Sequence, residues 1–207
     1  TWAAAEDTSF GGANIASNIR LRFSVQNTGS PLTGQLFRLQ MAPKGVALNC
    51  ESVPSVSYND VPVAGSCGTS EACMTSSSQF TNLASTSPSL TYPATMAFNA
   101  GEIMQNSTNQ TNGIPVASNA ATEVEYNFQM TSFATGSFYC FRTTKGGVAL
   151  DSYDHVAQVS VLHAPSISSI SFNGASDIAL TEGTTTNVSV SCTVTDLNGY
   201  TDIVSAT

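Results

Sequence analysis

Basic residues are scarce, with six Lys and Arg in 207 residues, scattered from Arg20 to Lys145. A nucleic-acid binder displaces counterions with clustered Lys and Arg, so nucleic acid is excluded as a partner. Charged residues of both signs fill only 10% of the chain and leave a net charge of −8. Ser and Thr take their place, at about a quarter of all positions. No apolar run approaches the roughly 18 to 20 residues that cross a bilayer as a helix, so no transmembrane segment is expected. Histidine is limited to His155 and His163, and no serine lies in a Gly-x-Ser-x-Gly elbow. A nucleophilic site built from Ser or Cys, His and an acid is therefore not expected. There is no C-x₂-C pair, and neither histidine lies near a cysteine in sequence, which argues against zinc. The hydrophobic content of 41%, with regular strand patterning, is enough to bury a core and excludes disorder.

Five cysteines (Cys50, Cys67, Cys73, Cys140 and Cys192) stand in this Lys-poor, Ser/Thr/Asn-rich chain. They point to an oxidising, extracellular setting, secreted or at a cell surface. Cys67 and Cys73 bracket a short Gly/Ser loop and suit a local bridge. Cys50 follows the strand ending at Met41 and Cys140 lies in a well-formed strand, so those two suit a long-range staple. Cys192 is left over, either pairing outside this segment or staying as a buried free thiol. The chain begins at Thr1 with no initiator Met and no signal peptide, and is expected to be a processed piece of a longer precursor.

Alternation with a period of two dominates. Ile19, Leu21, Phe23 and Val25 share one face, with Arg20, Arg22 and Ser24 on the other, as in a half-buried strand. After the turn cluster at 27–31, Phe37, Leu39 and Met41 alternate with Arg38 and Gln40, which makes a hairpin with the first strand plausible. From Cys50 to Asn119 the pattern loosens into Ser- and Asn-rich loops, with short strand candidates at Ser89–Tyr92 and Ala94–Phe98. Val124, Tyr126, Phe128 and Met130 then alternate with polar residues, Ser137–Thr143 follows as a partner strand, and Ala157, Val159 and Val161 mark another. The joint His163-Ala164-Pro165 precedes a fresh series at Ile167–Phe172, Asp177–Leu180 and Val188, Val190, Cys192 and Val194. The expected fold is all-β: a β-sandwich, immunoglobulin-like or jelly-roll-like, over residues 1–163. A second, incomplete immunoglobulin-like unit or inter-subunit strand segment is expected over 164–207, too short for an ordinary sandwich core.

Several fragments occur together in order: Trp2–Thr8, Arg20-Leu21-Arg22-Phe23, Phe37-Arg38-Leu39-Gln40, Glu123-Val124-Glu125-Tyr126 and Tyr139-Cys140-Phe141-Arg142. They resemble a β-rich repeat domain of very large secreted proteins from uncultivated bacterial lineages, over roughly residues 1–162. That resemblance implies an exported surface protein and no particular reaction. Residues 165–207 separately look like the opening strands of an immunoglobulin-like domain, in which Cys192 matches the inward cysteine of the second strand.

Paired carboxylates would serve glycoside hydrolysis, and Glu123 and Glu125 share a strand face. Because positions 124, 126, 128 and 130 are apolar, that face is expected to be a solvated outer one. Asp154-His155 is expected to open a strand at its solvent edge. Asp196, Asn198 and Asp202 place three side-chain oxygens around a Gly turn, a candidate calcium site; a plain hairpin explains the same residues. No other cofactor is expected. Asn106, Asn109 and Asn187 fit the N-glycosylation pattern, and residues 105–113 are expected to be an exposed loop.

The functional expectation is a non-enzymatic extracellular structural protein. It would be a subunit of a surface filament, pilus-like fibre or surface layer, its partner a further copy of itself. Val188, Val190, Val194 and Ile203 would contribute an apolar face completed by strand addition from a neighbour. The alternative is an adhesin or carbohydrate-binding module that recognises surface glycans.

Overall fold

The computed structural model describes residues 3–197. Thirteen strands build the first unit: β1 (Phe10–Ala13), β2 (Asn18–Asn27), β3 (Leu32–Gln35), β4 (Phe37–Pro43), β5 (Asn59–Asp60), β6 (Ala72–Met74), β7 (Ala84–Ser85), β8 (Ala97–Asn99), β9 (Glu102–Gln105), β10 (Ile114–Val116), β11 (Ala120–Met130), β12 (Phe138–Lys145) and β13 (Ala157–Val161). The second unit begins at His163 and holds β14 (Ser166–Phe172) and β15 (Val190–Thr195). No α-helix occurs among the described residues.

The first unit is a β-sandwich. A five-stranded sheet runs in the order β1-β13-β12-β4-β5, antiparallel except where β1 joins β13. The facing six-stranded sheet is organised by β11. That strand pairs with β2 from Ala120↔Asn27 to Gln129↔Asn18. Its other edge is filled in relay by β8, β9 and β6, with β7 beyond β9. The inward residues of the two sheets meet in one core. There Phe128 and Phe141 pack with ring centres 4.6 Å apart, and the Tyr126 hydroxyl lies 3.0 Å from Thr143 Oγ1. Aromatic pairs at this spacing add to plain area burial.

Pairing departs from the sequence expectation in two places. β2 and β4 form no hairpin; they enter opposite sheets, and β3 between them pairs with β10. A β2–β4 ladder would place Arg20 and Arg22 beside Arg38. The observed ladder sets Arg22 opposite Glu125 instead, and opposite charges across an antiparallel pair stabilise where like charges oppose. β12 likewise does not bond to β11. It lies in the facing sheet, between β4 and β13.

The loose middle of the chain is held largely by side chains. Ser89–Tyr92 forms no strand, because the Ser89 and Leu90 amides donate to the Glu123 carboxylate. Ala94–Phe98 supplies only the start of β8, and Asp177–Leu180 forms no strand. The free edge of β4 is finished by a side-chain imitation of a strand. The Phe37 amide donates to Thr111 Oγ1, and the Leu39 amide to Asn109 Oδ1. Gly101 is required where β9 begins: a Cβ there would overlap the Glu123 carbonyl oxygen.

In the second unit β14 and β15 form an antiparallel ribbon whose register shifts between Ser168 and Ser171. Ser169 there adopts φ 52°.

Two disulfides lie in the first unit, Cys50–Cys140 and Cys67–Cys73, with Cα atoms 5.4 and 5.6 Å apart. They close segments of very different length, with sequence separations of 90 and 6. From loop-closure entropy, replacing Cys50 and Cys140 by Ala should cost roughly 4 to 5 kcal/mol, and replacing Cys67 and Cys73 roughly 2 to 3 kcal/mol. Urea unfolding of the two double variants measures the difference.

Candidate functional site

Glu123 and Glu125 are the largest departure from the sequence reading. Both are fully buried, although they occupy the outer face of the six-stranded sheet. Glu125 is paired with Arg20 and Arg22, whose Nε lies 2.6 Å from Glu125 Oε2. Arg22 also reaches Glu123 Oε2 at 3.0 Å and the Ser87 carbonyl at 2.9 Å. The second oxygen of Glu123 accepts the Ser89 and Leu90 amides at 2.7 and 2.8 Å. Strand alternation gave the face correctly, but residues 86–90 cover it. The two carboxylates are engaged by cations and amides, which is the arrangement of a structural clamp. Breaking a buried ion pair by removing one partner typically costs 3 to 5 kcal/mol.

Arg142 forms a second cluster beside the Cys50–Cys140 bridge. Its guanidinium stacks 3.9 Å from the Tyr58 ring and bonds Gln40 Oε1 through Nε and Nη2. Nη1 donates to Ser55 Oγ at 3.0 Å. Four buried or partly buried tyrosines, Tyr58 and Tyr153 beside Arg142 and Tyr126 and Tyr139 apart from it, are held neutral. Burial pushes the Tyr58 hydroxyl up to about 12, against the lowering pull of Arg142. Burial also raises Tyr139 to about 12, with Gly136 N–H opposing and Glu71 reinforcing. Tyr126 and Tyr153 are raised by burial as well.

The remaining expected site residues are dispersed. Asn106 and Asn187 are exposed. Asn109 is 8% exposed, and its amide nitrogen donates to the carbonyls of Leu39 and Val61. It therefore cannot carry a glycan in the folded chain. Gln105 and Thr111 are buried too, whereas Asn106, Ser107, Asn112 and Gly113 are exposed, so residues 105–113 form an exposed loop only in part. Asp196 directly follows β15, while Asn198 and Asp202, its expected calcium partners, lie outside the described residues, as do Trp2 and Ile203. Among the described residues, no group of three His, Cys, Asp or Glu is placed to hold a metal. His155 Nε2 lies 3.9 Å from the Asp7 carboxylate, and both side chains are largely exposed.

The second unit presents its apolar side chains to solvent. Ile167, Ile170 and Phe172 are each 59% exposed, Val190 61% and Leu180 82%. Val188 is exposed too and Val194 half-buried. Cys192 is free and exposed, which corrects the expectation of an inward or buried thiol: among the described residues β15 pairs with β14 alone, and its residues 190–193 are exposed on both faces.

Two outcomes follow from the clusters. Glu123→Ala should lower stability by about 3 to 5 kcal/mol, because Arg22 and two amides lose their acceptor; the urea midpoint measures it. Tyr58 and Tyr139 release protons in the folded chain near pH 12 but from about pH 10 once unfolded. Their contribution is therefore complete below pH 10 and is lost as pH rises toward 12, roughly 2 to 3 kcal/mol for each. Urea midpoints followed from pH 9 to 12 should fall, and less steeply in Tyr58→Phe.

No protein-family model, curated protein or solved structure matches the chain.

Proposed function

We propose that the chain is a non-enzymatic, extracellular structural protein of a bacterial surface, a subunit of a filament, pilus-like fibre or surface layer. Copies join through β-strand contacts made by residues 164–207. Two disulfides in a β-sandwich suit an oxidising, extracellular setting. The observation that carries the reading is the uncovered apolar ribbon of β14 and β15. A two-stranded ribbon is marginal alone in water, and contiguous exposed apolar surface marks an interaction site. Head-to-tail repetition of one such contact makes an open fibre.

A second reading, a glycan-binding module, draws on one feature. An open groove of about 390 Å³ is bounded by Asp60, Ser70, Glu71 and Phe133, and Phe133 is 47% exposed. Carboxylates beside an aromatic ring suit a sugar. Binding on a glycan array, lost in Phe133→Ala, would favour this reading.

For the leading reading, residues 1–207 should associate in a concentration-dependent way by sedimentation and form polymers under negative stain. A chain ending at Ala164 should keep its β-rich circular dichroism and stay monomeric. Polymers from the shortened chain, or strong amide protection of β14 and β15 in monomeric full-length protein, would overturn the proposal.

A further inference from the structure

We infer that the outer edge of β2 is the acceptor for this assembly, and that its occupant is β15 of a second copy. The inference rests on the structural reading above and names the surface it uses.

The edges of the first unit are unequal. β5 and β7 are two residues long, and β1 four. The rest of β4's edge is closed by Asn109 and Thr111. β2 runs for ten residues and, among the described residues, pairs with β11 alone. An edge of that length offers a row of main-chain donors and acceptors to another strand. On the inward face beside it, Leu21 and Phe23 pack against the core but are only partly buried. An added strand would complete their cover.

Pattern and charge both point to β15. Along β2, apolar residues at 19, 21, 23 and 25 alternate with Arg20, Arg22 and Ser24. β15 alternates without interruption, setting Val190, Cys192 and Val194 against Ser191, Thr193 and Thr195. Laid along β2, it extends the apolar face with Val and Cys and the polar face with hydroxyls, since successive side chains point to opposite faces. β14 is less suited, because the register shift after Ser168 breaks its alternation. Residues 163–207 contain no Lys or Arg and carry Asp177, Glu182, Asp196 and Asp202. The face of β2 carries two of the six basic residues of the chain, and the Arg20 side chain is 37% exposed. Arg20 and Arg22 are balanced there by Glu123 and Glu125, so the hydroxyl face of β15 meets no net charge, and the acidic unit around it meets the partly exposed Arg20 guanidinium.

The test places cysteines on the polar faces of both strands. In a Cys192→Ser background, Thr193→Cys is combined in turn with Asn18→Cys and Gln26→Cys, both exposed, with Val46→Cys as the control on an exposed turn. Under mild oxidation at least one β2 position should give a ladder of linked subunits on a non-reducing gel. Its linked fraction should exceed the control by roughly tenfold or more, as expected when docking raises the effective thiol concentration. Hydrogen exchange on the unaltered chain supplies an independent readout, with amides of residues 18–27 and 190–195 slowing on assembly. Polymers that form with no β2 ladder and no protection at 18–27 overturn this inference and leave the structural reading standing. A chain that stays monomeric at all concentrations overturns both. Linked dimers from Gln26→Cys without Thr193→Cys would mean that β2 pairs with β2, and linkage within one chain would mean that the ribbon closes on its own unit. Either overturns it.

Discussion

Two buried carboxylates in one strand constrain the rest of the first unit. Glu123 and Glu125 have no solvent exposure, and a buried charge is tolerated only when it is paired and hydrogen-bonded. The cations come from the neighbouring strand, so the requirement acts on strand register. Sliding β2 by one residue against β11 would turn Arg20 and Arg22 into the core and Leu21 and Phe23 outward. The same carboxylates then set what lies above the sheet. Glu123 gathers the amides of Ser89 and Leu90, Arg22 takes the Ser87 carbonyl, and Thr86 bonds the Glu123 carbonyl. A segment with no strand pattern of its own is thereby held as a cover. The close approach of that cover needs Gly101, whose missing side chain leaves room beside the Glu123 backbone.

The long strands were legible because their alternation is regular. Ile19–Val25 and Val124–Met130 each occupy a strand, the series Val188–Val194 does so from Val190 on, and the two cysteine pairs suited by spacing are the two that are bonded. Pairing was not legible, since β2 and β4 look alike in pattern and differ only in which charges they must oppose. The region from Cys50 to Asn119 was opaque for another reason. Its strands are two to four residues long, below the length at which a period of two can be counted. They are held by side-chain bonds such as Asn109 to Leu39 and Gln105 to the Ser77 amide. Polar composition suggests exposure at Gln105, Asn109, Thr111 and Glu123, where it marks buried hydrogen bonding. Alternation tells which face a residue takes, not what lies on that face.

Edge protection follows the same logic. A sheet edge exposes unpaired amides and carbonyls, and native folds shorten, cap or cover such edges. Here the caps are Asn and Thr side chains along β4, the two-residue strands β5 and β7, and the three-part relay on the far side of β11. Against that background the ten residues of β2 are an exception. The arginines on its polar face neutralise Glu123 and Glu125. In the proposed assembly the edge would take a strand that brings hydroxyls to the polar face and small apolar residues to the other.

The second unit has the complementary problem. Ordering each residue of a ribbon costs about 1 to 2 kcal/mol in backbone entropy. A buried Val or Leu side chain returns roughly 1.5 to 3 kcal/mol only when it leaves water. With Ile167, Ile170, Phe172 and Val190 more than half exposed, little of that return is realised within the ribbon itself. Docking on a strand that is already ordered changes the balance, because the acceptor contributes hydrogen bonds and apolar cover without a further ordering cost. The benefit depends on unbroken alternation, which keeps both faces in phase over the whole contact. β15 has it, and β14 loses it at Ser169, where the backbone turns to positive φ. In the proposed assembly, that difference between the two strands of one ribbon would decide which of them docks.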